Sequence, residues 1–155
     1  ELLVRCVKAA SLAPSACNSQ PWKFVVVTNG DKKRELSKLT QEIGLNKWTE
    51  SAPAFIVVVE EAEPILMPRV VEHYGTKRFS EGDVGMATAF LLLEATEQGL
   101  GCCIIGTYSD AEVKALFGLP AGDTVRAIVA VGYPADETPR PKSRKDVSEI
   151  TTLVG

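Results

Sequence analysis

An α+β fold is predicted by three observations on this 155-residue sequence. Segments with helical spacing of apolar residues and short β-branched runs intermingle, but without the regular strand–helix–strand rhythm of a parallel sheet. Gly, Pro and Asn fall between these segments as stop and turn signals. Apolar residues make up 45% and charged residues 24% of the chain, the balance of an ordinary globular protein with a core of its own. One domain over 1–155 is expected.

The elements follow in order. Over 1–13, Leu2, Cys6, Ala9, Ala10 and Ala13 share one side of an amphipathic helix, and Pro14 ends it. Residues 22–28 are rich in β-formers, with Asn29-Gly30 as a turn behind them. Asp31 can cap a second helix to about Ile43, stopped by Gly44. Phe55–Glu60 reads as a second strand. Pro64 and Pro68 limit any long helix over 61–80, where a short helix or lid is expected. Residues 82–98 are the longest helical candidate. From Val84 to Leu93 they are small or apolar on every side, so this helix must be buried on more than one face, and a second subunit is a natural cover. Gly99 and Gly101 close it, and Cys102–Ile105 is a third strand. Ser109 or Asp110 caps a helix to Phe117, and 124–132 is the last internal strand. Beyond Tyr133 the chain reads as an exposed tail closing with a β-like stretch at 151–154.

Several function classes are disfavoured at this point. A net charge of −3 argues against a general nucleic-acid or acidic-membrane binder. The longest apolar run is too short to span a bilayer, and with no signal peptide visible a cytoplasmic location is expected. Cys6, Cys17, Cys102 and Cys103 form no CxxC pair, and His73 is the single histidine, so neither zinc nor a Ser/His/Asp triad is expected. The cysteines read as small buried apolar residues. Gly99-Leu-Gly101 precedes a strand and lacks a third glycine, so the dinucleotide fingerprint fails.

Two segments carry chemistry. In PSACNSQPW (14–22) two prolines bracket Ser15, Asn18, Ser19 and Gln20, four hydrogen-bonding side chains between a helix and a strand. Such a loop serves equally as a ligand cradle or as a turn bonded to its own backbone. In the tail, Arg140, Lys142, Arg144 and Lys145 lie within six residues, and alternation puts Lys142 and Arg144 on one side of an extended chain. That pair suits a phosphate, while taken by itself the run reads first as a solvated basic tail.

The run SLAPSACNSQPWKFVVV resembles the flavin-binding loop and following strand of the nitroreductase family. SEGDVGMATAFLLLEATEQGLGCCIIG resembles that family's central dimer helix and flavin-facing loop, and AEVKALFGLP, VGYP and PKSR follow in the family's order. The resemblance implies a nitroreductase-like fold, a mostly antiparallel sheet flanked by helices in an intertwined homodimer with FMN at the subunit interface. Pro14, Ser15, Ala16 and Asn18 would line the flavin ring and ribityl chain across that interface, and Asn46 would reach it from the other side. Ile105 and Gly106 would present backbone near the flavin N5, and Lys142 with Arg144 would hold the FMN phosphate. The implied activity is electron transfer from NAD(P)H through FMN to a small oxidised acceptor such as a nitroaromatic or quinone, with no catalytic side chain. The alternatives are an FMN sensor or store without turnover, or reductive dehalogenation or flavin breakdown.

Two departures are visible. The family pattern begins with a basic arm of the form Arg-Arg-Ser-x-Arg, and Glu1 stands beyond where that arm would end. Some members carry an acidic residue where Ile105 stands, so their acceptor preference does not transfer to this chain.

Overall fold

The computed structural model describes residues 1–136 and 141–155. Strands β1 (Trp22–Val27), β2 (Ala54–Glu60), β3 (Gly101–Ile105) and β4 (Thr124–Gly132) form one sheet in the order β1-β2-β4-β3, every neighbour antiparallel. Helices α1 (Leu2–Ala10) and α4 (Ser80–Glu97) cover one face, and α2 (Gly30–Leu39) and α5 (Asp110–Phe117) cover the other. Two short helices, α3 (Pro68–Tyr74) and α6 (Val147–Ile150), bury no residue. No helix among the described residues is long and apolar enough to cross a membrane.

The centre of the sheet explains the β-branched runs. Every residue of β2 is buried, because helices cover both of its faces. Ile56 and Val58 face Leu91 and Val84 of α4, while Phe55, Val57 and Val59 face Leu36 of α2 and Val113 of α5. Burying a side chain of this size contributes roughly 1.5–3 kcal/mol, so β2 and its partner β4 dominate the core. The β2–β4 pairing shifts between Val58 and Val59, whose partners are Ala127 and Val125. Arg126 is therefore the extra residue of a bulge, and such a residue is re-aimed out of the ladder. It reaches the buried carboxylate of Glu60.

Several boundaries differ from expectation. Helix α1 ends at Ala10 and turns through Ser11, three residues before Pro14, with Ser11 Oγ donating to the Lys8 carbonyl at 2.7 Å. Asn29, not Asp31, caps α2: its side chain accepts from the amides of Asp31 and Lys32 at 3.0 and 3.1 Å. That helix stops at Leu39, ahead of a turn leading to Gly44 with φ 75°. The short helix expected over 61–80 is α3, which Pro68 opens at its first position, where a missing amide costs nothing. Residues 151–154 form no strand, and the ordered piece of the tail is α6. The cysteines do not all behave as core residues. Cys6 is buried and Cys102 half-buried, but Cys17 lies exposed in a loop and Cys103 is exposed on the edge strand β3.

The helix expected over 82–98 forms as α4, and within one chain only one of its apolar sides is covered. α4 buries Val84, Ala87, Leu91 and Ala95 against α1 and the sheet. Its opposite stripe of Gly82, Gly85, Met86, Ala89, Phe90 and Leu93 is exposed, with Leu93 at 69%.

Candidate functional site

The 14–22 segment is a tight, strained loop. Cys17, Asn18 and Gln20 have φ values of 54°, 53° and 48°, and each non-glycine residue there costs on the order of 1–3 kcal/mol. The strain is held by a compact set of bonds. Ser15 Oγ accepts from the Gln20 amide at 3.0 Å, the Ser15 carbonyl from the Asn18 amide at 3.0 Å, and the Ala16 carbonyl from the Ser19 amide at 3.0 Å. Two further bonds tie the segment to its surroundings: the Ala16 amide donates to Asp83 Oδ2 on α4 at 3.1 Å, and the Pro21 carbonyl accepts from the Glu61 amide beyond β2 at 3.1 Å. Ser19 Oγ is buried and has no hydrogen-bond partner among the described residues. Self-bonding thus accounts for Ser15 but leaves one polar atom unsatisfied, which is costly unless something else pairs with it.

A second group gathers at the end of β3. Ile105 is buried in the core beside α5, so its side chain points inward and leaves the backbone as the accessible part. Gly106 is exposed, and a Cβ placed there would meet nothing within 4 Å. Asn46, in the left-handed conformation at φ 58°, donates to the Thr40 carbonyl at 3.0 Å and to Thr107 Oγ1 at 2.8 Å. Both amide hydrogens of Asn46 are therefore engaged in joining the end of α2 to the loop after β3. Its carbonyl oxygen is what remains for a ligand. No hydrogen bond among the described residues links this group to the 14–22 loop.

The third component is the tail. Arg140 lies outside the described residues. Lys142 and Arg144 are exposed, as is every residue of 141–155, and Arg144 Nη1 donates to the neighbouring Ser143 carbonyl at 2.9 Å. Asp146 does not neutralise them. It caps α6, accepting from the Ser148 amide at 2.9 Å while Glu149 accepts from the Asp146 amide at 3.0 Å. Among the described residues neither Lys142 nor Arg144 makes an ion pair. Among the described residues no hydrogen bond or ion pair joins the 14–22 loop, the end of β3 and the tail cations to one another.

Burial and hydrogen bonding shift several titratable groups. Burial pushes the Cys102 thiol up to about 11. Burial, reinforced by Asp110, pushes Tyr108 up to about 12, and its hydroxyl is spent donating to the Val125 carbonyl at 2.9 Å. Glu60 is the exception. Burial disfavours its charge, but hydrogen bonds from Ser80 at 2.6 Å, from Arg126 and from Lys77 at 3.0 Å outweigh that and hold it below the usual carboxylate range. This fully buried carboxylate anchors the start of α4 to β2. Among the described residues no group of His, Cys, Asp and Glu could hold a metal.

Sequence reasoning missed Asp83 and Thr107, and it named Ser19 only as one of four polar side chains in the loop. Asp83 had a visible signal, since it is a lone acid in the small and apolar stretch GDVGM. Thr107 had none, because its role depends on Asn46, 61 residues away.

Known proteins place this architecture. The family model described as Nitroreductase family matches residues 1–133. An NADH dehydrogenase of Thermus thermophilus is 30% identical, with 88% of this chain and 77% of the relative covered. An iodotyrosine deiodinase of Danio rerio is 28% identical over 99% of this chain, which spans 60% of that protein. Among solved structures, an FMN-dependent nitroreductase of Clostridium difficile superimposes with a TM-score of 0.70 at 25% identity, covering 96% of this chain and 81% of the other. With the antiparallel sheet and the motif loop in place, the chain belongs to the nitroreductase family.

Proposed function

We propose that the protein is an FMN-dependent oxidoreductase that draws electrons from NAD(P)H and delivers them to a small oxidised acceptor, working as a homodimer. The carrying observation is the strained 14–20 loop with its unsatisfied Ser19 hydroxyl, in a chain of this family. The residues present fit the cofactor. The loop offers an unpaired polar atom, the space before Gly106 is open, and Lys142 and Arg144 are cations without an acidic partner among the described residues. FMN, when bound, supplies hydride acceptance from the nicotinamide and onward electron transfer.

The chain's own residues bind and orient. Pro14, Ser15, Ala16 and Asn18 hold the flavin ring and ribityl side. The Asn46 carbonyl oxygen and the backbone of Ile105 and Gly106 face the ring from the second group. Lys142 and Arg144 take the phosphate, where paired cations give charge-assisted hydrogen bonds. No hydrogen bond among the described residues joins the three groups within one chain, and two chains meeting along the exposed stripe of α4 would bring them together in one site. Backbone groups and cations facing a ring that gains negative charge on reduction favour its reduced form.

A second reading, reductive dehalogenation of a halogenated aromatic, is favoured by the deiodinase relative that aligns along 99% of this chain. Stopped-flow mixing of the flavin-loaded protein with NADH tests the proposal: bleaching of the flavin absorbance supports an enzyme, and an unchanged spectrum with either nicotinamide leaves a flavin-binding protein without turnover. Reoxidation by a nitroaromatic or quinone against iodotyrosine separates the two acceptors. Arg144→Ala is expected to weaken FMN binding by about 10- to 100-fold while sparing riboflavin. Equal weakening of both flavins removes the phosphate role.

A further inference from the structure

The flavin cradle is built from strained backbone, and one side chain outside it donates order to it. We infer that Asp83 is a positioning residue for the cradle: its carboxylate holds the Ala16 amide and so fixes the left-handed turn at Cys17, Asn18 and Gln20. This rests on the flavin reading above.

The geometry carries the inference from three sides. Asp83 is 5% exposed, and Oδ2 accepts from the Ala16 amide at 3.1 Å across 67 residues of sequence. Among the described residues the remaining hydrogen bonds of residues 15–20 lie within the loop, so there Asp83 is its one polar tie to the helical layer. Asp83 is itself fixed. It lies in the first turns of α4, one turn beyond Ser80, whose hydroxyl donates to the buried Glu60 carboxylate at 2.6 Å. Lys77 and Arg126 hold that same carboxylate, so the start of α4 is pinned to the central strand before it reaches the loop. An acid at this end of a helix also lies with the helix dipole, which lowers the cost of its burial.

A loop kept in left-handed geometry relaxes when its tie is cut, because several non-glycine residues gain by leaving that region. Cutting the tie therefore loosens ring-side contacts and leaves phosphate contacts alone. Removing a hydrogen bond to a charged acceptor corresponds to about a tenfold or larger loss of affinity for any flavin that uses the cradle.

The test compares Asp83→Ala with Asp83→Asn, which keeps an acceptor oxygen within reach of Ala16. Asp83→Ala is expected to raise the dissociation constants of FMN and riboflavin by the same factor, about tenfold, and to alter the shape of the bound-flavin absorbance band. Asp83→Asn is expected to restore both to within about threefold. Amide exchange at residues 16–20, measured without flavin, is expected to speed up in Asp83→Ala and to return towards wild type in Asp83→Asn. Unchanged exchange in Asp83→Ala overturns the inference, as does a loss confined to FMN or an equal loss in both variants. Should Asp83→Ala not fold, Asp83→Leu, which removes the acceptor while keeping the volume, takes its place with the same expected rise in exchange and the same loss for both flavins, and unchanged exchange there overturns the inference. A wild type that binds no flavin overturns the flavin reading, while the exchange result still tests Asp83.

Discussion

Helices α2 and α4 cover opposite faces of one sheet and meet their surroundings in opposite ways. α2, GDKKRELSKL, buries Leu36 and Ser37 and turns Lys and Glu to solvent, the pattern of a helix with one apolar side. α4 buries seven residues and still exposes Met86, Phe90 and Leu93 on its far side. One face of the molecule is finished in a single chain and the other is not. The exposed apolar stripe is rimmed by Glu81, Glu94 and Glu97, a composition that suits a protein–protein contact.

The largest expected effect breaks that contrast directly. The double variant Phe90→Glu, Leu93→Glu places two charges on the stripe, and light scattering is expected to fall from about twice the 16.7 kDa chain mass to one chain. Charge reversal on α2, Lys33→Glu with Lys38→Glu, is expected to leave the mass unchanged. A wild-type chain that is already monomeric would remove the contrast altogether.

The next effect tests whether the two buried sides are equally rigid. Leu91 and Leu36 are both fully buried, one under each layer. Truncation of either to Ala is expected to cost ~2–5 kcal/mol in denaturant unfolding. A much smaller cost at Leu36 would show that the α2–α5 layer closes around the cavity while the α1–α4 layer cannot.

A smaller effect belongs to the anchor of α4. Glu60→Gln is expected to lower stability by roughly 1–3 kcal/mol, less than a wholly buried pair would give because Arg126 and Lys77 stay partly exposed. The sign with pH follows from a folded pKa held below its unfolded value. The stabilisation is complete above the ordinary carboxylate range and is lost as pH falls through the folded pKa. Stability measured from neutral to acid pH is expected to fall less steeply in Glu60→Gln than in wild type; parallel curves would show that Glu60 does not carry this dependence.

The smallest effect is on the solvated side. Asn29→Ala removes the cap of α2 and is expected to cost ~1 kcal/mol, read from the thermal midpoint. Asp31→Ala is expected to cost less, since the Asp31 side chain does not cap.

Local chemistry was legible because it acts over a few residues. The β-branched run before Glu60 specified a strand, the apolar stretch over 84–93 specified a helix, and the proline-bracketed loop was marked by its own density of polar groups. The helix ends at Ala10 and Leu39 were placed too late, since a signal such as Pro14 or Gly44 marks where a helix can no longer run and not where its packing ceases. The strand expected over 151–154 failed because β-propensity needs a neighbour to pair with, and this tail lies exposed. Asn46 bonding to Thr107, Asp83 to Ala16 and Arg126 to Glu60 span 61, 67 and 66 residues. Only the tertiary structure could decide these pairings, because hydrogen-bond partners are chosen by which elements the core brings within about 3 Å, and no local pattern encodes that.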